Sequence, residues 1–182
     1  MRIIMDLTGK RVLVVGSGIS GVAATELLKK QQVEVVLFDG NKNLDIEALQ
    51  QKAPVFSDME IILGDLSEEV MDTLGLVILS PGVPTDLPMV NVLREKEIPI
   101  WGEIELAYFF AKGKIVAITG TNGKTTTTAL TGEIMANYFA DVKVVGNIGI
   151  PYTSVAADTT EETVTVAEIS SFQLETTHEF AP

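Results

Sequence analysis

"RVLVVGSGISG", residues 11–21, is the stretch on which the fold turns. Its first five residues are an unbroken run rich in β-branched side chains, the pattern of a strand buried on both faces of a parallel sheet. The glycines that follow open directly into a segment where Val22, Ala23, Leu27 and Leu28 stand near helical spacing. A strand, a Gly-x-Gly-x-x-Gly turn and a helix in that order form a phosphate-gripping unit. Glycine lets the backbone approach a diphosphate, and the helix start offers unpaired N–H groups and a partial positive charge. "EVVLFD" (34–39) reads as the next strand and ends on Asp39, where such folds read a ribose hydroxyl. The loop alone leaves NAD, another nucleotide or a purely structural turn open.

Outward from this unit, strands and helices keep alternating. "DIEALQQK" reads as a helix, "EIIL" (60–63) as a strand, "LSEEVMDTLG" as a helix closing at Gly75, and "LVILS" (76–80) as a buried strand. "SPGVP" (80–84) is then a rigid turn, "PMVNVLREKEIP" a helix with Pro88 in its first turn, and "IW" the start of another extended piece. This alternation predicts a doubly wound parallel sheet. "GEIELAYFFAKG" (102–113) reads as a helical connector.

The plan then restarts. "KIVAIT" predicts a strand, "GTNGK" a loop, and residues from about Thr125 to Tyr138 a helix; "VKVVGNIG" and "TVTVAEI" predict two more strands. The second loop, Gly120-Thr121-Asn122-Gly123-Lys124-Thr125, is shorter than the usual Gly-x-x-x-x-Gly-Lys-[Ser/Thr], because Ile118 stands where the first glycine would be. Its chemistry is intact: N–H groups to surround a phosphate, Lys124 to reach the β- and γ-oxygens, and the Thr125 hydroxyl for Mg²⁺. Glu168, at the end of "TVTVAE", is the carboxylate that a neighbouring parallel strand would bring to the same edge. His178, the single histidine, reads as a surface residue. The expected architecture is α/β: a Rossmann-like doubly wound parallel sheet over 1–105, then the start of a P-loop-type ATPase α/β domain over 106–182. With three strands and one clear helix, the second domain is expected to be present only in part.

Composition sets limits. Over 182 residues, 46 % are apolar and 21 % charged, as in a core-forming domain, and 13 basic against 25 acidic residues give a net charge of −12. That balance argues against non-specific nucleic-acid binding, which depends on Lys and Arg neutralising phosphates. Cysteine is absent, which removes disulfides, thiolate metal sites and a thiol nucleophile. Charges at Asp6, Lys10 and Arg11 interrupt any signal-like core, and no run reaches the roughly 18 apolar residues of a membrane span. A soluble, cytoplasmic chain with no membrane insertion is expected.

Taken together, "GTNGKTT", "GNIG" followed by Pro151, "EISSFQLE" (168–175) and the order "SPGVP … GEIEL … VAITGTNGKT" resemble the Mur ligases of bacterial cell-wall synthesis, in their D-glutamate-adding branch. "GTNGKTT" is shared across the superfamily; "EISSFQLE" is the narrower signal. The resemblance spans essentially this whole chain and part of the family's three-domain protein. It implies an ATP- and Mg²⁺-dependent amide ligase that joins D-glutamate to UDP-N-acetylmuramoyl-L-alanine through an acyl phosphate in peptidoglycan synthesis. It also implies that this chain without the remaining domains is inactive. By the same resemblance, Gly120, Thr121, Asn122, Gly123, Lys124, Thr125 and Thr126 bind ATP, and Thr125 and Glu168 face Mg²⁺. Lys124 and Glu168 then serve catalysis. Asn147, Ser170 and Gln173 face the muramoyl and diphosphate part of the substrate. Ile19, Ser20 and Gly82 hold its UDP end, and Asp39 lies near uracil or ribose. Gly40 and Asn41 follow Asp39 where the family often has Thr-Arg, so no uracil contact carries over to those two positions. The rival readings are an NAD-dependent oxidoreductase and a non-catalytic nucleotide-binding module.

Overall fold

A computed structural model describes residues 6–147 and 149–182; Ile148 of "GNIG" and the first five residues lie outside the described set. The chain divides into two compact units, one ending at Gly102 and the other beginning at Glu103. In the first, strands β1 (Arg11–Val15), β2 (Glu34–Asp39), β3 (Glu60–Leu63), β4 (Leu74–Leu79) and β5 (Ile100–Gly102) form one sheet in the order β3-β2-β1-β4-β5. Every pairing is parallel. The sheet is crossed by helices α1 (Ile19–Lys30), α2 (Ile46–Lys52), α3 (Glu68–Met71) and α4 (Pro88–Glu95). A parallel sheet covered by helices buries its central strands on both faces, which explains the continuous apolar runs. Leu13, Val36 and Val77 are almost wholly enclosed, and Leu93 of α4 packs with them in the same core.

Helix starts follow side-chain chemistry. Asp45 caps α2 by accepting from the N–H groups of Glu47 and Ala48, and Pro88 occupies the start of α4, where its missing N–H costs nothing. One expectation needs correcting. The helix read up to Gly75 is the single turn α3, and Gly75 lies inside β4. Leu74 pairs with Arg11, so the sheet claims the chain before a second turn can form, while Thr73 Oγ1 donates back to the Val70 carbonyl at 2.7 Å.

The second unit contains α5 (Glu103–Phe110), β6 (Lys114–Ile118), α6 (Lys124–Ala136), β7 (Val142–Gly146), α7 (Tyr152–Val155), β8 (Val164–Glu168) and α8 (Ser171–Leu174). Its sheet runs β6-β8-β7, again all parallel. Helix α6 packs on β7 and β8, and its other face leaves Leu130 and Ile134 exposed. Helix α5, read from the sequence as a connector, is packed within this unit: Glu103 through Tyr108 are buried, and the helix lies against α7 and α8. Among the described residues no helix is long and apolar enough to cross a membrane.

Truncating a side chain at the centre of the first sheet should be costly because the surrounding core collapses only in part. Leu13→Ala is expected to lower stability by about 2–5 kcal/mol, read from the urea midpoint of the first unit's unfolding.

Candidate nucleotide sites

The strand order of the first sheet reverses between β1 and β4, which opens a crevice at their carboxyl ends. The glycine loop leaves β1 there and "SPGVP" leaves β4. Gly16 N–H donates to the Phe38 carbonyl at 2.8 Å and Ser80 N–H to the Val15 carbonyl at 3.1 Å, which ties both turns to the sheet. Gly21 lets α1 sit tightly on its own loop: a Cβ at that position would lie 1.9 Å from the Gly16 carbonyl oxygen. A cavity of about 620 Å³ opens at this edge, lined by Gly16, Asp39, Gly82 and Val83 among others.

Asp39 lines that cavity, yet much of its carboxylate serves the loop itself. Oδ2 accepts from the Ser17 N–H at 3.0 Å and the Ser17 hydroxyl at 2.6 Å, and Oδ1 accepts from the Asn41 N–H at 3.0 Å. Partial burial pushes the Asp39 carboxyl up, but the bonds from Ser17 and Asn41 outweigh it and hold the group below its ordinary range. Ile19 is 77 % exposed and lines a second cavity, between α1 and α2, together with Leu44 and Leu49. The expected UDP-end residues therefore fall in two places, Asp39 and Gly82 on one cavity and Ile19 on the other. Ser20 is half-buried in the first turn of α1.

In the second unit the loop leaves β6 after Ile118. Gly120, Thr121 and Asn122 are exposed, and Gly123 begins α6 with φ +78°, a left-handed conformation that glycine adopts without steric cost. Lys124, Thr125 and Thr126 form the first turn of α6, and Lys124 Nζ donates to the Gly120 carbonyl at 2.7 Å, closing the loop on itself. Glu168 ends the central strand of the sheet, paired with Ile118 on one side and Gly146 on the other. It is 2 % exposed, and the strand pairing sets it beside the start of the phosphate-type loop. Asn147 leans on it: its N–H donates to the Glu168 carbonyl at 2.8 Å and its Nδ2 to Oε1 at 3.3 Å. Two residues on, Ser170 and Gln173 form a reciprocal capping box around α8. Gln173 Nε2 is buried without a partner among the described residues, a donor left over once Oε1 has accepted from Ser170.

Among the described residues no group of three or more His, Asp or Glu side chains is gathered as a metal cage. Thr125 and Glu168 offer the hydroxyl and carboxylate oxygens that suit Mg²⁺, an ion that keeps several waters and takes few protein ligands. Sequence reading missed Ser17, the partner of Asp39, and the buried acids Glu103 and Glu105 on α5. A serine inside the glycine loop, 22 residues from an aspartate at the next strand end, was the available signal for the first. Nothing local marks the two glutamates as buried.

Two separate phosphate-type loops, each at the carboxyl edge of its own parallel sheet, define the class of the chain: two α/β units, each with a glycine loop running from a strand into a helix. Comparison with known proteins places it more narrowly. Residues 10–102 match the family described as Mur ligase MurD-like, N-terminal domain, and residues 118–181 match the Mur ligase middle domain. The chain belongs to the Mur ligase family. It is 55 % identical over 178 residues to a UDP-N-acetylmuramoylalanine--D-glutamate ligase of Lachnoclostridium phytofermentans and 54 % identical to the same-named protein of Lachnospira eligens. In each case the alignment covers 98 % of this chain and 39 % of the relative. Among solved structures, a murein peptide ligase of Psychrobacter arcticus shares the fold with a TM-score of 0.50 at 17 % identity, over 89 % of this chain and 37 % of that one.

Because the Asp39 pKa is depressed in the folded chain, its stabilising contribution is present above the ordinary carboxylate range and is lost as pH falls through the lowered value. Ser17→Ala removes one of the bonds that hold it down. A carboxyl NMR titration is expected to show the Asp39 midpoint below that of an ordinary aspartate in the parent chain and shifted upward in the variant.

Proposed function

We propose that this chain is the nucleotide-gripping part of an ATP-dependent amide ligase that joins D-glutamate to UDP-N-acetylmuramoyl-L-alanine. The observation that carries the reading is the buried Glu168 carboxylate at the end of the strand paired with the one that leads into Gly120–Thr126. A phosphate loop with a carboxylate beside it is the equipment of phosphoryl transfer and not of hydride transfer. The first loop then has a different task, to hold the diphosphate of a UDP-sugar, and the name of the relatives supplies that sugar and the amino acid.

A carboxylate is a poor acylating agent, so the ligand needs activation before an amine can attack it. One carboxylate oxygen of the UDP-substrate attacks the γ-phosphorus of ATP; the bond to the β-bridging oxygen breaks and ADP leaves. The amine of D-glutamate then adds to the acyl carbon, loses a proton, and phosphate departs. In this scheme the N–H groups of the loop and the α6 N-terminus hold the phosphates, and Lys124 turns from the Gly120 carbonyl to the γ-oxygens. Thr125 and Glu168 would hold Mg²⁺, which would supply neutralisation of the phosphoryl charge. Asn147, Ser170 and Gln173 orient the muramoyl end of the substrate, and the leftover Gln173 donor suits an acceptor oxygen there. Asp39 works mainly by holding Ser17 and the glycine loop in shape, with Ile19, Ser20 and Gly82 around the UDP end.

The chain spans 39 % of the length of these relatives, so catalysis is tested in a full-length protein containing this sequence. Lys124→Ala is expected to lower kcat by about 10²-fold or more with UDP-substrate binding preserved, measured by coupled ADP release and by calorimetry. Retained ligase activity in that variant would show that this loop is not the site of phosphoryl transfer. The 182-residue chain by itself is expected to release no ADP in the same assay.

A further inference from the structure

Helix α5 carries two acids with no part in the scheme above. Glu103 and Glu105 are each 2 % exposed, a state that carboxylates reach only when their oxygens are satisfied. They stand two positions apart on a helix, so their side chains leave it about 200° apart and reach different segments. Glu105 gathers the chain beyond α8: Oε2 accepts from the N–H groups of His178 at 2.9 Å and Phe180 at 3.2 Å, and Oε1 from Glu179 at 2.8 Å. Tyr108, one turn along, meets the Phe180 ring edge-on at 5.4 Å. Glu103 Oε1 lies 3.4 Å from the Thr153 nitrogen and 3.5 Å from its hydroxyl, at the start of α7 and just past the Asn147 loop.

The two segments held in this way are the continuations of the loops that leave β7 and β8. Helix α8 is a single turn, and an isolated helical turn does not hold its shape in water. Its geometry therefore depends on what pins its two ends. Glu168, fixed in the sheet, pins one, and the peptide run 178–180 on Glu105 pins the other. Gln173 lies between them.

We propose that Glu105 is a positioning residue: by accepting three successive main-chain N–H groups, it fixes α8 and so aims Ser170 and Gln173, with Glu103 steadying the loop after β7. What Ser170 and Gln173 are aimed at rests on the ligase reading above; the clamp itself does not.

The test uses the 182-residue chain with Glu105→Gln, which keeps the shape but turns an acceptor into a donor facing N–H groups, and with Glu105→Asp, which shortens the reach. Amide hydrogen exchange by NMR is expected to show protection falling about tenfold or more at 178–180 and also over 171–174, with β1–β5 and β6 unchanged. In parallel, affinity for UDP-N-acetylmuramoyl-L-alanine is expected to fall several-fold, with affinity for a non-hydrolysable ATP analogue with Mg²⁺ unchanged and the Asp variant intermediate. Unchanged protection at 171–174 overturns the proposal. So does a uniform loss across 103–182 in both variants, which would make Glu105 a general staple of the unit. If a full-length protein containing this sequence binds no UDP-sugar, the ligase reading fails, and the exchange measurement still decides the clamp.

Discussion

Both units depend on one backbone manoeuvre. The chain must leave the carboxyl end of a parallel strand and enter a helix within a few residues. A side chain at Gly21 would collide with the loop it packs on, and the start of α6 needs the left-handed turn at Gly123. Parallel pairing then brings the other necessary groups to the same edge, because every strand of each sheet points the same way. Asp39 and "SPGVP" reach the first loop in this manner, and Glu168 and Asn147 reach the second. The chemistry of both sites follows from where strands end.

Several acidic residues in this chain shape the backbone. Asp39 is committed to Ser17 and Asn41, Asp45 to the start of α2, and Glu105 to residues 178–180. Each turns a negative charge into an organiser of N–H groups, stronger than a neutral acceptor and more directional than apolar packing.

The strands were legible in the sequence because burial on two faces leaves an unmistakable trace: "RVLVV" and "EVVLFD" match β1 and β2 residue for residue. The loop positions were legible because glycines placed directly between an apolar run and a helical pattern mark a strand-to-helix turn. Legibility failed where the deciding partner was remote. The helix read through Gly75 stops early because Leu74 is captured by Arg11, 63 positions away in sequence, as their pairing shows. Glu105 looks like an ordinary exposed helix acid until the backbone 73 to 75 residues later is seen resting on it. "GEIEL" consequently reads as linker material, when it belongs to the packed interior of the second unit.

The strand order of the second sheet also bears on how the chain acquires its form. β8 follows β6 and β7 in the chain yet lies between them, and among the described residues those two do not pair with each other. Until residues 164–168 emerge, the earlier two strands have no ladder to join, and their apolar faces wait for a partner. The first unit, by contrast, has all five strands in hand by Gly102. Synthesis thus delivers the five strands of the first sheet before β6 and β7 gain the neighbour they share, and the interval before β8 arrives is one in which non-local pairing leaves those two strands open to aggregation.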